Sequence, residues 1–209
     1  MSQVNIGVLI SGGGTNLQAI IDNINSGNIS GKIKLIISNN KNAYGLERGK
    51  IAGIESIYIN AKDFDNEELF NNRLIEEFQK KDVDLIVLAG YLKILSKDFI
   101  HTFSNRIINI HPSLIPSFCG KGFYGKRIHE EVINHGVKIT GATVHFVDEG
   151  TDTGPIILQE ALKVNEDDTP DSLQKKVLEI EHEILVKAIK LYCEGRISID
   201  NRLIRINWE

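Results

Sequence analysis

Four short runs in this 209-residue chain are apolar almost without alternation: Ile6–Ile10, Leu35–Ile37, Leu85–Ala89 and Ile107–Ile110. A strand with one wet face alternates apolar and polar residues; a strand that does not has both faces covered, as in a parallel sheet packed between helices. Helical patterns lie between the runs. Residues 66–80 place Leu69, Phe70, Leu74, Ile75 and Phe78 on one face, with Asp65 and Glu68 spaced as a capping box. Gly27, Gly53, Gly136 and Gly195 each stand where a helix should stop. The alternation predicts an α/β fold with a doubly wound, mostly parallel sheet.

The C-terminal half departs from that rhythm. Segments 138–147 and 154–164 are strand-like and separated by a short acidic loop, which predicts an antiparallel pair. A long helix follows, capped by Thr169 with Pro170 at its first position and an apolar stripe of Leu173, Val177, Ile180, Ile184, Ala188 and Leu191. Residues 196–209 read as a small terminal hairpin. Without a linker or a repeat, residues 1–209 are expected to form a single domain, with a soft seam near residue 100 between a phosphate-binding half and a catalytic half.

Composition narrows the classes. The net charge of −4, with no block of like charge, argues against a dominant nucleic-acid surface. Cys119 and Cys193 stand apart, with no CxxC, which suits a reducing cytoplasm. The N-terminal apolar run is a strand and not a signal peptide, and no stretch approaches the roughly 18 apolar residues of a membrane span. The six histidines form no HxH or HxxxH pair, so no metal site is expected.

Four stretches carry candidate chemistry. "LISGGGTNLQAI" (9–20) runs from strand through three glycines into a helix, a turn that exposes N–H groups at a positive helix end. Leu17 replaces the third glycine of GxGxxG, and no GK[ST] follows, so a single phosphate at Gly13, Gly14, Thr15 and Asn16 is the functional reading and a tight βα turn the plain one. "IINIHPSLIP" (107–116) puts Asn109 and His111 on one side of a strand that ends at Pro112, where open α/β sheets gather their ligands. In "ATVHFVDEGTDTGP" (142–155), Thr143 and His145 share a face, and the loop offers Asp148, Glu149 and Asp152; the first two read as solvated turn residues, and Asp152, between glycine-flanked turns, is the better partner for His111, though spacing alone does not choose it. "FCGKGFYGKR" (118–127) reads as a mobile glycine loop whose Lys121, Lys126 and Arg127 either steer an anion or are simply solvated.

Together "SGGGTN", "NIHPSLIP" and "VDEGTDTGPII" resemble the folate-dependent phosphoribosylglycinamide formyltransferases over nearly the whole chain. The resemblance implies the formyltransferase fold, 10-formyltetrahydrofolate as co-substrate and phosphoribosylglycinamide as acceptor, in a cytoplasmic monomer or homodimer needing no metal, nucleic acid or membrane. It implies a catalytic trio of Asn109, His111 and Asp152, and a phosphate site at Gly14, Thr15 and Asn16. Glu181 would contact the ribose or glycinamide side. The folate pocket would be lined by Leu92, Lys93, Ile94 and Leu95 and by Asp148, Glu149, Gly150 and Thr151, while Thr143 and His145 support Asp152. Asn109 and a protonated His111 would stabilise the oxyanion formed when the amine attacks the formyl carbon. Glu67 stands where some relatives carry an arginine near the folate tail, so that contact is not carried over.

Two further readings share parts of this pattern. A formyltetrahydrofolate hydrolase would use the same trio, with water in place of the amine. A non-catalytic, flavodoxin-like module would hold a phosphate in its first loop and leave the trio without a joint purpose.

Overall fold

The computed structural model describes residues 3–208; Met1, Ser2 and Glu209, which the reading above assigned to the two ends of the domain, lie outside the described residues. The chain runs β1 (Val4–Ile10), α1 (Thr15–Asn25), β2 (Gly31–Ser38), α2 (Tyr44–Ile51), β3 (Ser56–Tyr58), α3 (Glu67–Lys80), β4 (Leu85–Leu88), α4 (Lys97–Thr102) and β5 (Ile107–His111). It continues through α5 (Lys126–Asn134), β6 (Ile139–Phe146), β7 (Ile156–Lys163), α6 (Pro170–Cys193), β8 (Ile197–Asp200) and β9 (Leu203–Ile206). Seven strands form one sheet in the order β3-β2-β1-β4-β5-β6-β7, and β8 and β9 form a separate hairpin. The first five strands are parallel; β6 and β7 join antiparallel. β4 pairs with β5, so the sheet passes through the residue-100 seam without a break.

The unbroken apolar runs have the expected cause. Within β1, Ile6, Val8 and Ile10 join one core, with Leu17 and Ile20 of α1, Ile128 and Val132 of α5 and Leu173, Val177 and Leu185 of α6. Leu9 points into the opposite core, with Phe70, Leu74 and Phe78 of α3 and Phe99 of α4. In that second layer Phe78, Phe99 and Phe103 pack with ring centroids 5.1–6.2 Å apart, each pair contributing about 0.5–1.5 kcal/mol beyond area burial.

Helix ends follow the sequence in most places. Gly27, Gly53, Gly136 and Gly195 all take positive φ just past a helix. Thr169 caps α6 in a capping box with Ser172, and Pro170 opens it. The start of α3 differs. Asn66, not Asp65, is the cap, its Oδ1 accepting from the Leu69 N–H at 2.9 Å. That frame leaves Leu69 in the first turn and 47% exposed, while Phe70, Leu74 and Phe78 make the buried stripe. Among the described residues no helix is long and apolar enough to cross a membrane.

Candidate active site

The chain order dictates where a ligand can sit. From β1 it moves outward to β2 and β3, then returns to β4 on the other flank of β1. Loops leaving β1 and β4 at their carboxyl ends therefore diverge, opening a crevice at the switch point. β5 lies next to β4, two strand spacings from β1, or about 10 Å. The glycine loop after β1 and the His111 end of β5 thus emerge on the same edge of the sheet.

At the β5 end, pairing with β6 sets Asn109 opposite His145 and His111 opposite Thr143. Asp152 reaches the same place from the β6–β7 loop, where it holds a left-handed φ of 59°. Its Oδ2 lies 3.5 Å from His111 Nδ1 and accepts the Gly120 N–H at 2.9 Å. Its Oδ1 accepts from Asn109 Nδ2 at 3.5 Å and lies 3.7 Å from His145 Nε2. Asn109 Nδ2 also meets His145 Nε2 at 3.1 Å, while His145 Nδ1 meets the Phe146 carbonyl at 2.7 Å. Asn109 and His111 therefore each meet the Asp152 carboxylate, one at either oxygen, and of the three loop acids Asp152 is the one that reaches them. Asp148 is spent inside its own loop, accepting from the Gly150 N–H and the Thr153 hydroxyl. Glu149 is paired to α4, through Lys97 at 2.6 Å and His101 at 2.8 Å.

Protonation follows from the surroundings. Burial by itself would raise Asp152, but the His145 hydrogen bond, the charge on His111 and the Gly120 N–H together carry it below the usual carboxylate value. Asp152 is therefore ionised at neutral pH. Burial dominates at His111 and pushes it down; Asp152 and the Phe118 carbonyl oppose that shift, His145 adds to it, and the net pKa is below that of an ordinary histidine. His111 Nε2 meets the Phe118 carbonyl at 3.0 Å. A carbonyl only accepts, so Nε2 carries a hydrogen there, and Nδ1 faces the Asp152 carboxylate.

Thr143 does not reach Asp152. Its hydroxyl donates to the Ser113 carbonyl at 2.7 Å and accepts the Ile115 N–H at 3.1 Å, so it supports the turn after β5. Loop 118–127 is tied at several points: Phe118 packs on Phe123 and on His135, Lys126 pairs with Asp171 at 2.7 Å, and Arg127 covers the Phe123 ring.

In the glycine loop, Gly12, Gly13 and Thr15 are exposed, and Gly14 occupies the α1 N-cap at φ 71° with no side-chain cap and no acid in the first turn. Such a helix start presents N–H groups and positive potential to an anion. Asn16 is buried and faces inward, its Nδ2 donating to Glu181 Oε2 at 2.8 Å. Burial pushes Glu181 up to about 7, against the pull of that bond. Of the stretch 92–95, Leu92 and Ile94 are more than half exposed at the crevice edge, while Leu95 anchors it in the core. The Leu92 N–H donates to Ser11 Oγ at 2.9 Å, joining this stretch to the glycine loop.

Two supports escaped sequence reasoning. Gly45 of α2 donates its N–H to the Gly12 carbonyl at 3.1 Å, and Arg48 Nε donates to the Gly13 carbonyl at 2.8 Å. Their signal was present in "YGLERG", where two glycines in one short helix point to close backbone packing. Among the described residues no group of three or more His, Cys, Asp or Glu side chains is placed to hold a metal ion.

Residues 4–189 match the family model described as Formyl transferase. The chain is 38% identical over 92% of its length to the chloroplastic phosphoribosylglycinamide formyltransferase of Arabidopsis thaliana, and 41% identical over 95% to the phosphoribosylglycinamide formyltransferase of Haemophilus influenzae. It spans 66% of the plant relative's length, 91% of the bacterial one's, and 19% of a Bos taurus trifunctional purine biosynthetic protein. The solved structure of glycinamide ribonucleotide transformylase 1 from Symbiobacterium toebii superposes with a TM-score of 0.93 at 44% identity, covering 98% of this chain and 94% of that one. By sequence and by fold alike, the chain belongs to the formyl transferase family.

Proposed function

We propose that the protein transfers the formyl group of 10-formyltetrahydrofolate to the amine of 5'-phosphoribosylglycinamide, a step of purine biosynthesis. The observation that carries this reading is the meeting of Asn109, His111 and Asp152 at the sheet edge that also bears the open glycine loop. The relatives named phosphoribosylglycinamide formyltransferase support it. The phosphate would sit on the N–H groups of Gly13, Gly14 and Thr15 and of the Asn16 backbone; the Asn16 side chain and Glu181 would face the rest of the ribonucleotide. Leu92–Leu95 and the 148–151 loop would flank the pterin.

The substrate amine is the nucleophile, so no side chain need be one. As it adds to the formyl carbon, negative charge grows on the formyl oxygen and the new N–H becomes acidic. Asn109 would supply the donor to that oxygen by exchanging its long 3.5 Å bond to Asp152; one such donor is worth about 2.7–4 kcal/mol in the transition state. His111 Nδ1, beside Asp152, would take the amine proton and return it to the departing folate nitrogen. Ionised Asp152 stabilises the imidazolium formed between those two transfers. Holding two substrates in one crevice supplies much of the remaining rate.

The test is purified protein with 10-formyltetrahydrofolate, with and without phosphoribosylglycinamide. Folate release that requires the ribonucleotide is the expected result. Release at the same rate without it would replace this reading with hydrolysis.

A further inference from the structure

A polar row runs across the sheet next to the trio. His111, Thr143 and Gln159 are register partners on β5, β6 and β7. Gln159 Nε2 donates to Thr143 Oγ1 and to the Ile115 carbonyl, both at 3.0 Å. Thr143 in turn donates to the Ser113 carbonyl. Ser113 is wholly buried, and its hydroxyl donates to the Ser117 carbonyl at 2.6 Å, with the Phe118 carbonyl 3.3 Å away. Phe118 is the residue whose carbonyl meets His111 Nε2.

A buried hydroxyl costs free energy unless it is bonded, so its value here lies in what it holds. Phe118 takes φ 48°, a left-handed conformation that is strained for a bulky residue and persists only where its surroundings enforce it. Two residues on, the Gly120 N–H grips Asp152 Oδ2. One strained turn therefore holds both the imidazole and its carboxylate, and Ser113 is the side chain that pins it from beneath.

We infer that Ser113 is a positioning residue for the reaction: by fixing the 117–118 carbonyls it locks His111 in the Nε2–H tautomer and holds Nδ1 beside Asp152. The inference rests on the reading of His111 given above. Without the hydroxyl the turn relaxes, the Phe118 carbonyl leaves Nε2, and the ring populates both tautomers.

The experiment pairs ring nitrogen-15 NMR of histidine-labelled protein at pH 8 with steady-state kinetics, for wild type, Ser113→Ala and His111→Ala. Wild type is expected to show His111 as a single Nε2–H tautomer. Ser113→Ala is expected to show a mixture, with kcat about 10- to 100-fold lower, the size of effect a small misplacement produces, and both KM values within about twofold. Unchanged His111 signals in Ser113→Ala overturn the positioning role. So does a tautomer mixture in the wild type, a measurement that stands even if the variant fails to fold. Full turnover by His111→Ala overturns the inference through the site reading, and the ring signals show separately whether the geometry was right.

Discussion

In the proposed trio of Asn109, His111 and Asp152 the energetic cost is visible one residue at a time. Asp152 holds left-handed backbone and a carboxylate in a mostly buried position, neither of which favours folding. Replacing the amide of Asn109 with Ala should lower kcat about 10²- to 10³-fold, as for loss of an oxyanion donor, with the thermal midpoint hardly moved; kinetics and a melt on one preparation check both halves. Glu181 shows the same conflict in its titration. Its pKa rises from 4.5 unfolded to about 7 folded, so between those values the folded state binds the extra proton, and stability falls as pH rises through the window. Glu181→Gln should therefore be more stable than wild type at pH 8, by about 2–3 kcal/mol, and nearly equal to it at pH 4.5. Urea titrations at the two pH values measure this, and a variant less stable at pH 8 would contradict it. Lower affinity for the ribonucleotide should accompany the gain.

The glycine loop works only as part of a pair of elements, the turn into α1 and the start of α2. A Cβ on Gly14 would stand 2.7 Å from the Gly45 Cα, a backbone atom that cannot step aside, and Gly14 also needs its φ of 71°. Gly14→Ala should therefore push α2 off the loop, raising the KM for phosphoribosylglycinamide at least tenfold and leaving the KM for formyl-folate nearly unchanged. An equal rise for both substrates would mean general damage instead. The sequence marked the loop through its three glycines, but not α2, because Gly45 and Arg48 act through space and lie more than thirty residues away. Thr143 shows the same limit: periodicity put it on the correct face, yet only the path of the turn after β5 decides that it bonds Ser113 and Ile115 rather than Asp152. At α3 the sequence pointed to Asp65 as the cap, and the packing of Phe70, Leu74 and Phe78 sets it at Asn66.

The molecule taken together carries opposing titrations. Burial depresses His129 to about 4 and also lowers His111 and His182. Each is neutral when folded but protonates near 6.5 when unfolded, so stability drains away as pH falls below 6.5. Glu181 acts in the opposite sense over 4.5 to 7, one carboxyl against three imidazoles. Between pH 7.5 and pH 5 the urea midpoint of His129→Gln is expected to fall less than that of wild type; an equal change in both would refute the His129 contribution. The fold itself was present in the primary structure, since unbroken apolar runs between amphipathic helices leave only a sheet covered on both faces. The residue types of the site were present too, because glycine, asparagine and histidine at strand ends are expensive there without a use. Tertiary structure alone decided that Asp152 does meet His111, that Glu149 is paired away to α4, and that the left-handed turn at Phe118 brings a carbonyl to the His111 ring. Those outcomes depend on distances and desolvation between segments far apart in the chain, and local pattern carries neither.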